Sequence, residues 1–215
     1  MAHNSKPLLA GLVLIGGLML FARKGKAKSG VRAPLQLSKN FNLSEFVASP
    51  PGLKSYELSD QELENVTRLA RDVLQPLRDK YGVISINSGG RPPSWVYPRG
   101  TTLDIDGRKT DVSGRTINEV LRLKGYKPAD DSDHAYFGAA DLKFADSSAY
   151  ASAAIDAARN PKVRQVILEQ AMRNGVPTIT HLHVAVVMPG RPRLQAPRVA
   201  FVQLDGKTGA PIAFA

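Results

Sequence analysis

The chain has 215 residues, which is enough for one globular domain with flanking segments or for two small domains. Its 43% hydrophobic and 22% charged residues are ordinary for a globular protein and exclude a wholly disordered, a fibrous or a polytopic membrane protein. The absence of cysteine excludes disulfides, thiolate metal ligands and a thiol nucleophile, so any metal site must use His, Asp or Glu.

Positive charge is concentrated at the N-terminus. The formal net charge is +10, and residues 1–32 contain six Lys and Arg residues without any Asp or Glu. These basic residues flank PLLAGLVLIGGLMLFA, an uncharged apolar run over residues 7–22. Contact with anionic lipid headgroups is therefore a simpler explanation of the charge than nucleic-acid binding, and we expect no specific nucleic-acid partner.

The apolar run is slightly shorter than the ~20 residues that a membrane-spanning helix needs. We predict that residues 1–22 are a retained single-pass anchor, which contacts the lipid bilayer through residues 7–22 and is followed by a basic linker over residues 23–40. A cleaved signal peptide and a buried core helix are the alternatives; the first fits less well because no clean small-residue cleavage site follows the run. The predicted localisation is a membrane, either of a bacterial envelope or of a phage virion.

The segment after the linker contains a strong helix signal. The sequence SDQE at residues 59–62 has the pattern of a capping box, and apolar residues then recur at helical spacing up to Tyr81. This predicts a helix over residues 60–81, followed by a short strand at residues 83–86 and the turn SGGR. Residues 92–115 are rich in Pro, Gly, Asp and Arg, which predicts an inserted hairpin or loop.

The second half of the chain combines helical patterns with further strands. Helical patterns cover residues 116–124 and 147–174, the latter interrupted at Asn160-Pro161, and residues 179–187 alternate as a strand. The C-terminal extension, residues 191–215, reads as a β-hairpin. Helices and strands that are mixed without strict alternation indicate the α+β class.

Three of the four histidines fall in two short motifs. In the motif HLH, the strand period of two places His181 and His183 on one face of a sheet. In the motif SDHAYFGAAD, the offset of seven residues between His134 and Asp141 requires an intervening turn before the two side chains can meet. Two imidazole nitrogens and one carboxylate oxygen, with water in a fourth position, are typical of a catalytic zinc site.

These motifs resemble those of the zinc peptidases of the D-alanyl-D-alanine carboxypeptidase and L-alanyl-D-glutamate endopeptidase type, which cut peptidoglycan stem peptides. The resemblance covers about residues 41–188: NLSEF is similar to the family's opening LSEF segment, SGGR to its SGYR turn, and SDHAYFGAAD to its SxHxxGxAxD motif. It implies a domain over residues 41–190 in which a small antiparallel sheet carries the zinc site between flanking helices, with residues 92–115 as an insertion beside the cleft.

The resemblance also implies roles for individual residues. Zinc would be bound by His134, Asp141 and His183. Arg91 would hold the substrate carboxylate through its bidentate guanidinium, and Ser132 would help to position the peptide.

One departure from the family concerns the general base. The family has a Glu or Asp a few residues before its last histidine, whereas Thr178, Ile179 and Thr180 occupy those positions here. We expect His181 to take over this catalytic role, because an imidazole has a suitable pKa.

Two functions remain as alternatives. The first is a membrane-anchored zinc-dependent peptidase that hydrolyses amide bonds in peptidoglycan stem peptides. The second is a catalytically impaired, peptidase-like protein that has a structural or peptidoglycan-binding role in a membrane or virion, next to other membrane or virion proteins. The two differ in whether peptide is released from peptidoglycan and in whether His181 is needed for that release.

Overall fold

The computed structural model describes residues 35–47, 58–92, 95–126, 128, 132–189, 199–205 and 207–211. Three of its helices begin at a residue whose side chain caps the free backbone N–H groups: Asn42, Ser59 and Thr116 each form a capping box with a Glu three residues later. The α-helices are α1 (Leu43–Phe46), α2 (Asp60–Arg68), α3 (Gln75–Tyr81), α4 (Ile117–Leu123) and α5 (Ala149–Arg159).

The helix predicted over residues 60–81 is confirmed. It is continuous from α2 to α3 through a π-helical segment, Leu69–Leu74. Gly82 ends the helix with a φ of 81°, a conformation that glycine adopts without steric cost. The Gln75 side chain accepts hydrogen bonds from the Ser38 hydroxyl and the Asn40 backbone, so the helix also fixes the segment that precedes α1.

The strands form a six-stranded sheet, in the order β1-β4-β6-β5-β7-β8, and a separate two-stranded sheet of β2 and β3. The bounds in the large sheet are β1 (Ile84–Ser88), β4 (Ala139–Phe144), β5 (Val163–Arg173), β6 (Val176–Val186), β7 (Val199–Leu204) and β8 (Lys207–Pro211). The small sheet consists of β2 (Thr102–Ile105) and β3 (Arg108–Asp111).

One face of the large sheet packs against the helices. Leu142 on β4, Val166 on β5, and Leu182 and Val184 on β6 are each at most 1% exposed and belong to one hydrophobic cluster that also includes residues of α2, α3 and α5. These side chains alternate along their strands with residues that point to the other face. The other face is therefore free to carry polar groups.

The small sheet has a hydrophobic core of its own. Tyr97, Ile105, Val112 and Val120 are each at most 7% exposed and form a second cluster, separate from that of the large sheet. The segment predicted as an insertion thus contains the hairpin of β2 and β3. It lies in the chain between the SGGR turn and the first histidine motif.

The predicted fold class needs two corrections, and the first concerns the sheet. The sheet is mixed rather than antiparallel, because β5 and β7 pair in parallel. Both edges of β6 are already paired, with β4 on one side and β5 on the other. The C-terminal strands extend the sheet at the edge of β5 that β6 leaves free, where β7 runs in the same direction as β5. Strand β8 then pairs antiparallel with β7.

The second correction concerns the membrane. Within the described part of the chain, no helix is both long and apolar enough to cross a bilayer. The helix from α2 to α3 carries charged side chains such as Glu64 and Arg68, and α5 has only 11 residues, fewer than the ~20 that a span needs. The predicted anchor over residues 7–22 lies outside the described residues, so the transmembrane helix and the single-pass membrane localisation are not supported.

The helical pattern predicted over residues 147–174 is wrong in its second half. Helix α5 ends at Arg159, and Asn160 leaves the helical conformation before Pro161. The next segment is strand β5, which pairs with β6 along its whole length. Pairing with β6 and β7 outweighs the local helical pattern.

Candidate metal centre

Three side chains from separate elements converge on one face of the large sheet. Asp141 on β4 and His183 on β6 are direct neighbours in the strand register, so their side chains lie on the same face. His134 lies in a 3-10 helix, Asp133–Tyr136, which ends at Phe137 in the left-handed conformation, with a φ of 57°. The chain reverses there and enters β4, which brings His134 next to Asp141. This is the turn that the offset of seven residues predicted.

The three facing atoms lie close together. His183 Nδ1 is 2.9 Å from Asp141 Oδ1 and 3.2 Å from His134 Nε2, and the distance from His134 Nε2 to Asp141 Oδ1 is 3.3 Å. A tetrahedral metal with bonds of about 2.0–2.1 Å has ligand atoms about 3.3 Å apart. The spacing of the three atoms therefore fits a metal ion.

Hydrogen bonds at the far side of each imidazole set its tautomer. The carbonyl oxygen of Gly89 lies 2.7 Å from His134 Nδ1 and must accept its proton, which leaves a lone pair on Nε2. Gln165 Oε1 lies 3.2 Å from His183 Nε2, which leaves a lone pair on Nδ1. Two imidazole lone pairs and a carboxylate thus face one another, an arrangement that a cation stabilises.

The burial of the three side chains favours the protonation states that these hydrogen bonds indicate. His134, Asp141 and His183 are 2%, 9% and 7% exposed. Burial lowers the pKa of His134, which keeps its imidazole neutral. A neutral imidazole and an ionised carboxylate are the forms that bind metals.

The SGGR turn supports His134 from behind. A Cβ atom on Gly89 would collide with the backbone of Phe46 in α1, and one on Gly90 would collide with the ring of Phe137. Only glycine allows this close approach, which places the Gly89 carbonyl against His134. The backbone N–H of Arg91 also donates to the carbonyl of His134, over 2.8 Å.

A buried ion pair fixes the 3-10 helix to the sheet. Arg164 on β5 donates from Nε and Nη2 to the two carboxylate oxygens of Asp133, over 3.0 and 2.5 Å. The Asp133 side chain is 2% exposed and the Arg164 side chain 12%. Because a bidentate pair is geometrically specific, it restricts the position of the residue next to His134.

His181 lies beside this group, paired with a carboxylate that the sequence analysis missed. His181 Nε2 is 3.8 Å from Asp141 Oδ1 and 3.1 Å from Glu169 Oε2. Glu169 is the direct neighbour of His181 across β5 and β6. Burial opposes ionisation of His181, but the hydrogen bond to Glu169 and the charges of Asp141 and Glu169 outweigh it and raise the pKa of the imidazole. A strand assignment for residues 163–173 would have been the signal for Glu169.

The predicted substrate-binding residues have buried polar atoms with unused hydrogen-bonding capacity. Among the residues that the structure describes, Arg91 Nε and Ser132 Oγ are buried and have no hydrogen-bond partner. Burial lowers the pKa of Arg91, against the opposing charges of Asp141 and Glu169, and a guanidinium stays charged in proteins. Unpaired buried polar atoms are rare and costly, so both atoms are suited to a polar ligand.

Comparison of the chain with models of protein families, with curated proteins and with solved structures finds no match. The resemblance to the zinc peptidases therefore stays a prediction that depends on the motifs. The geometry by itself establishes that the buried group of His134, Asp141 and His183 can hold a metal ion.

Proposed function

We propose that the protein is a zinc-dependent peptidase that hydrolyses amide bonds in peptidoglycan stem peptides. The observation that carries this proposal is the convergence of two imidazole lone pairs and one carboxylate beside the pair of His181 and Glu169. A structural histidine cluster would not need unpaired lone pairs aimed at one point. The resemblance of the sequence motifs to the zinc peptidases supports the same reaction and substrate class.

The ligand set favours zinc among the common metals. Two imidazole nitrogens and one carboxylate oxygen are typical ligands of catalytic zinc, whereas Mg²⁺ and Ca²⁺ prefer oxygen ligands only. When bound, zinc supplies a Lewis acid for the scissile carbonyl and for the attacking water. The protein contributes the fixed tautomers of His134 and His183, which Gly89 and Gln165 maintain.

Arg91 and Ser132 support a substrate that carries a carboxylate. The Nε atom of Arg91 is buried and has a free N–H, and a guanidinium binds a carboxylate through two parallel hydrogen bonds. The Ser132 hydroxyl, also buried, can donate or accept one further bond to the peptide. Stem peptides carry free carboxylates, which fits this pair of residues.

The test is peptide release from purified peptidoglycan by protein loaded with zinc, measured by mass spectrometry together with metal content. We expect one zinc ion per chain, release by the wild type, and no detectable release by Asp141→Asn or after metal chelation. Arg91→Lys keeps the charge but loses the bidentate fork, so we expect KM to rise about tenfold on substrates with a free carboxylate.

Exposed Glu64, which pairs with Arg68 in α2, offers a matched control for carboxylate substitutions. Glu64→Gln should retain both zinc and activity. A wild-type protein that binds peptidoglycan with zinc present, yet releases nothing, would contradict the proposed hydrolysis and favour a binding or structural role.

A further inference from the structure

The ring of His181 has a hydrogen-bond acceptor at each nitrogen. Its Nδ1 lies 3.1 Å from Thr180 Oγ1, and the Thr180 hydroxyl itself donates to the backbone carbonyl of Glu169, also over 3.1 Å. With its hydroxyl proton directed at that carbonyl, Thr180 Oγ1 accepts from His181. His181 Nδ1 is therefore a donor.

The second ring nitrogen is a donor as well. His181 Nε2 lies 3.1 Å from Glu169 Oε2, and an ionised carboxylate can only accept hydrogen bonds. With both nitrogens donating, His181 offers no lone pair to a water molecule. The Glu169 carboxylate, by contrast, has further lone pairs, and its side chain is 32% exposed and so is accessible to water.

Glu169 lies beside the three candidate metal ligands but is not one of them. It neighbours His181 across the register of β5 and β6, while Ile167, two residues earlier on the same face of β5, neighbours the ligand His183. Glu169 does not belong to the cluster of converging ligand atoms, which consists of His134, Asp141 and His183. A carboxylate one residue pair away from the ligands is suited to proton transfer rather than to metal binding.

We propose that Glu169 is the general base of the reaction and that His181 is a hydrogen-bond donor, an inference that rests on the proposed peptidase function. A bond forms between the water oxygen and the carbonyl carbon of the peptide, and one water proton passes to the Glu169 carboxylate. The bond between carbon and nitrogen then breaks, and the same proton passes from Glu169 to the leaving nitrogen. Water and an amide are consumed, a carboxylic acid and an amine are formed, and Glu169 returns to its ionised state.

His181 positions the base in this scheme. Its Nε2–H holds Glu169 Oε2, and its approach to Asp141 Oδ1 places the ring at the edge of the metal group. The carboxylate missing from β6 is thus supplied by the neighbouring strand.

The first test is Glu169→Gln, which keeps the shape and an oxygen that accepts from His181 but cannot take up a proton. For the zinc-loaded variant we expect kcat to fall about 10²–10⁴-fold, with KM and zinc content within twofold of the wild type. Glu169→Ala should be equally slow and should regain part of kcat when formate is added, because formate can replace the missing carboxylate. Glu64→Gln is the control for a change of charge.

The second test does not depend on activity. In ¹H–¹⁵N spectra of the metal-free protein, the Nε2–H proton of His181 should be visible in the wild type and in Glu169→Gln, and it should exchange rapidly with solvent in Glu169→Ala. Absence of this proton in the wild type would overturn the proposal, because His181 would then offer a lone pair and could itself be the base.

The outcomes separate this inference from the function on which it rests. An active wild type together with an equally active Glu169→Gln would refute the role of Glu169 alone. Loss of zinc from Glu169→Gln would also refute it, because Glu169 would then be a ligand. A wild type that carries zinc and cleaves nothing would refute the peptidase function, and the role of Glu169 with it.

Discussion

The two faces of the large sheet are built from alternate residues of the same strands, yet they contribute differently to the protein. On β6, Leu182 and Val184 are fully buried against the helices, whereas His181 and His183 point to the opposite face and meet acidic and amide side chains. The helix-covered face removes apolar surface from water and so stabilises the fold. The polar face brings two imidazole lone pairs and a carboxylate together, and their mutual repulsion lowers stability until a cation binds. Alternate residues of one strand thus contribute either to the stability of the fold or to the candidate metal centre.

The largest effect that would test this comparison is expected from Asp141→Asn on the polar face. Loss of a residue that only hydrogen-bonds to a metal ligand typically lowers metal affinity roughly 10–100-fold. Because Asp141 is itself a candidate ligand, zinc affinity should fall by more than this. The metal-free variant should nevertheless be at least as stable as the metal-free wild type, because the amide NH₂ can donate to an imidazole lone pair. Zinc titration against a competing chelator and urea unfolding of the metal-free proteins measure the two quantities. Destabilisation of the metal-free variant by more than about 2 kcal/mol would contradict the view that the polar face costs stability.

A smaller effect, on stability alone, is expected from Leu182→Ala on the helix-covered face. The side chain is fully buried, and such a truncation typically costs about 2–5 kcal/mol because it leaves a cavity. Zinc affinity of the folded variant should stay within a fewfold of the wild type, although residue 182 lies between His181 and His183. Urea unfolding and zinc titration below the unfolding transition check this. A large loss of zinc affinity in the folded variant would show that the two faces are coupled.

Gln165→Leu tests a hydrogen bond that supports a metal ligand on the polar face. The variant removes the acceptor at His183 Nε2, so the tautomer of His183 is no longer fixed. We expect zinc affinity to fall about 10–100-fold, while the free energy of unfolding changes little because Gln165 is only partly buried. The same chelator competition measures the affinity. Unchanged affinity would mean that packing alone orients His183.

The smallest effect is expected from an ion pair between the π-helical segment and the residues just before β5. Asp72 lies 2.7 Å from Arg71 and 2.9 Å from Lys162; the hydrogen bond from Arg71, against the opposing effect of burial and with a contribution from Lys162, lowers its pKa to about 2. Because the folded pKa lies below the unfolded value, this stabilisation is present above about pH 4 and is lost as the pH falls towards 2.

Asp72→Asn should therefore cost about 1 kcal/mol near neutral pH, since the partners are exposed and screened by solvent. The difference from the wild type should shrink between pH 4 and pH 2, as followed by urea unfolding at each pH. A difference that stayed constant over this range would show that the charge of Asp72 does not contribute to stability.

Local patterns predicted much of the architecture. The capping box and the apolar spacing predicted the helix over residues 60–81, and the alternation HLH predicted that His181 and His183 share a face. Both features depend only on neighbours within a few residues, so they can be recognised in one sequence. The offset between His134 and Asp141 also indicated a turn, which the left-handed Phe137 provides.

Non-local pairing could not be predicted in the same way. Residues 163–173 have a helical apolar pattern but become a strand because β6 and β7 occupy both of its edges. Once that segment is taken as a helix, Glu169 has no defined relation to His181, so the proposed general base is not recognised. The parallel position of β7 was missed for the same reason, since it follows from which strand edges remain free.

The sequence alone determined the types of chemical group available: imidazoles and carboxylates but no thiols, in motifs that keep two histidines on one face of a strand. Which of these groups meet depends on the tertiary structure. Strand register placed Asp141 opposite His183 and Glu169 opposite His181, and a turn of glycines placed a carbonyl behind His134. Contacts between residues distant in the chain depend on the packing of the whole fold, whereas periodicity within one element depends only on its backbone geometry.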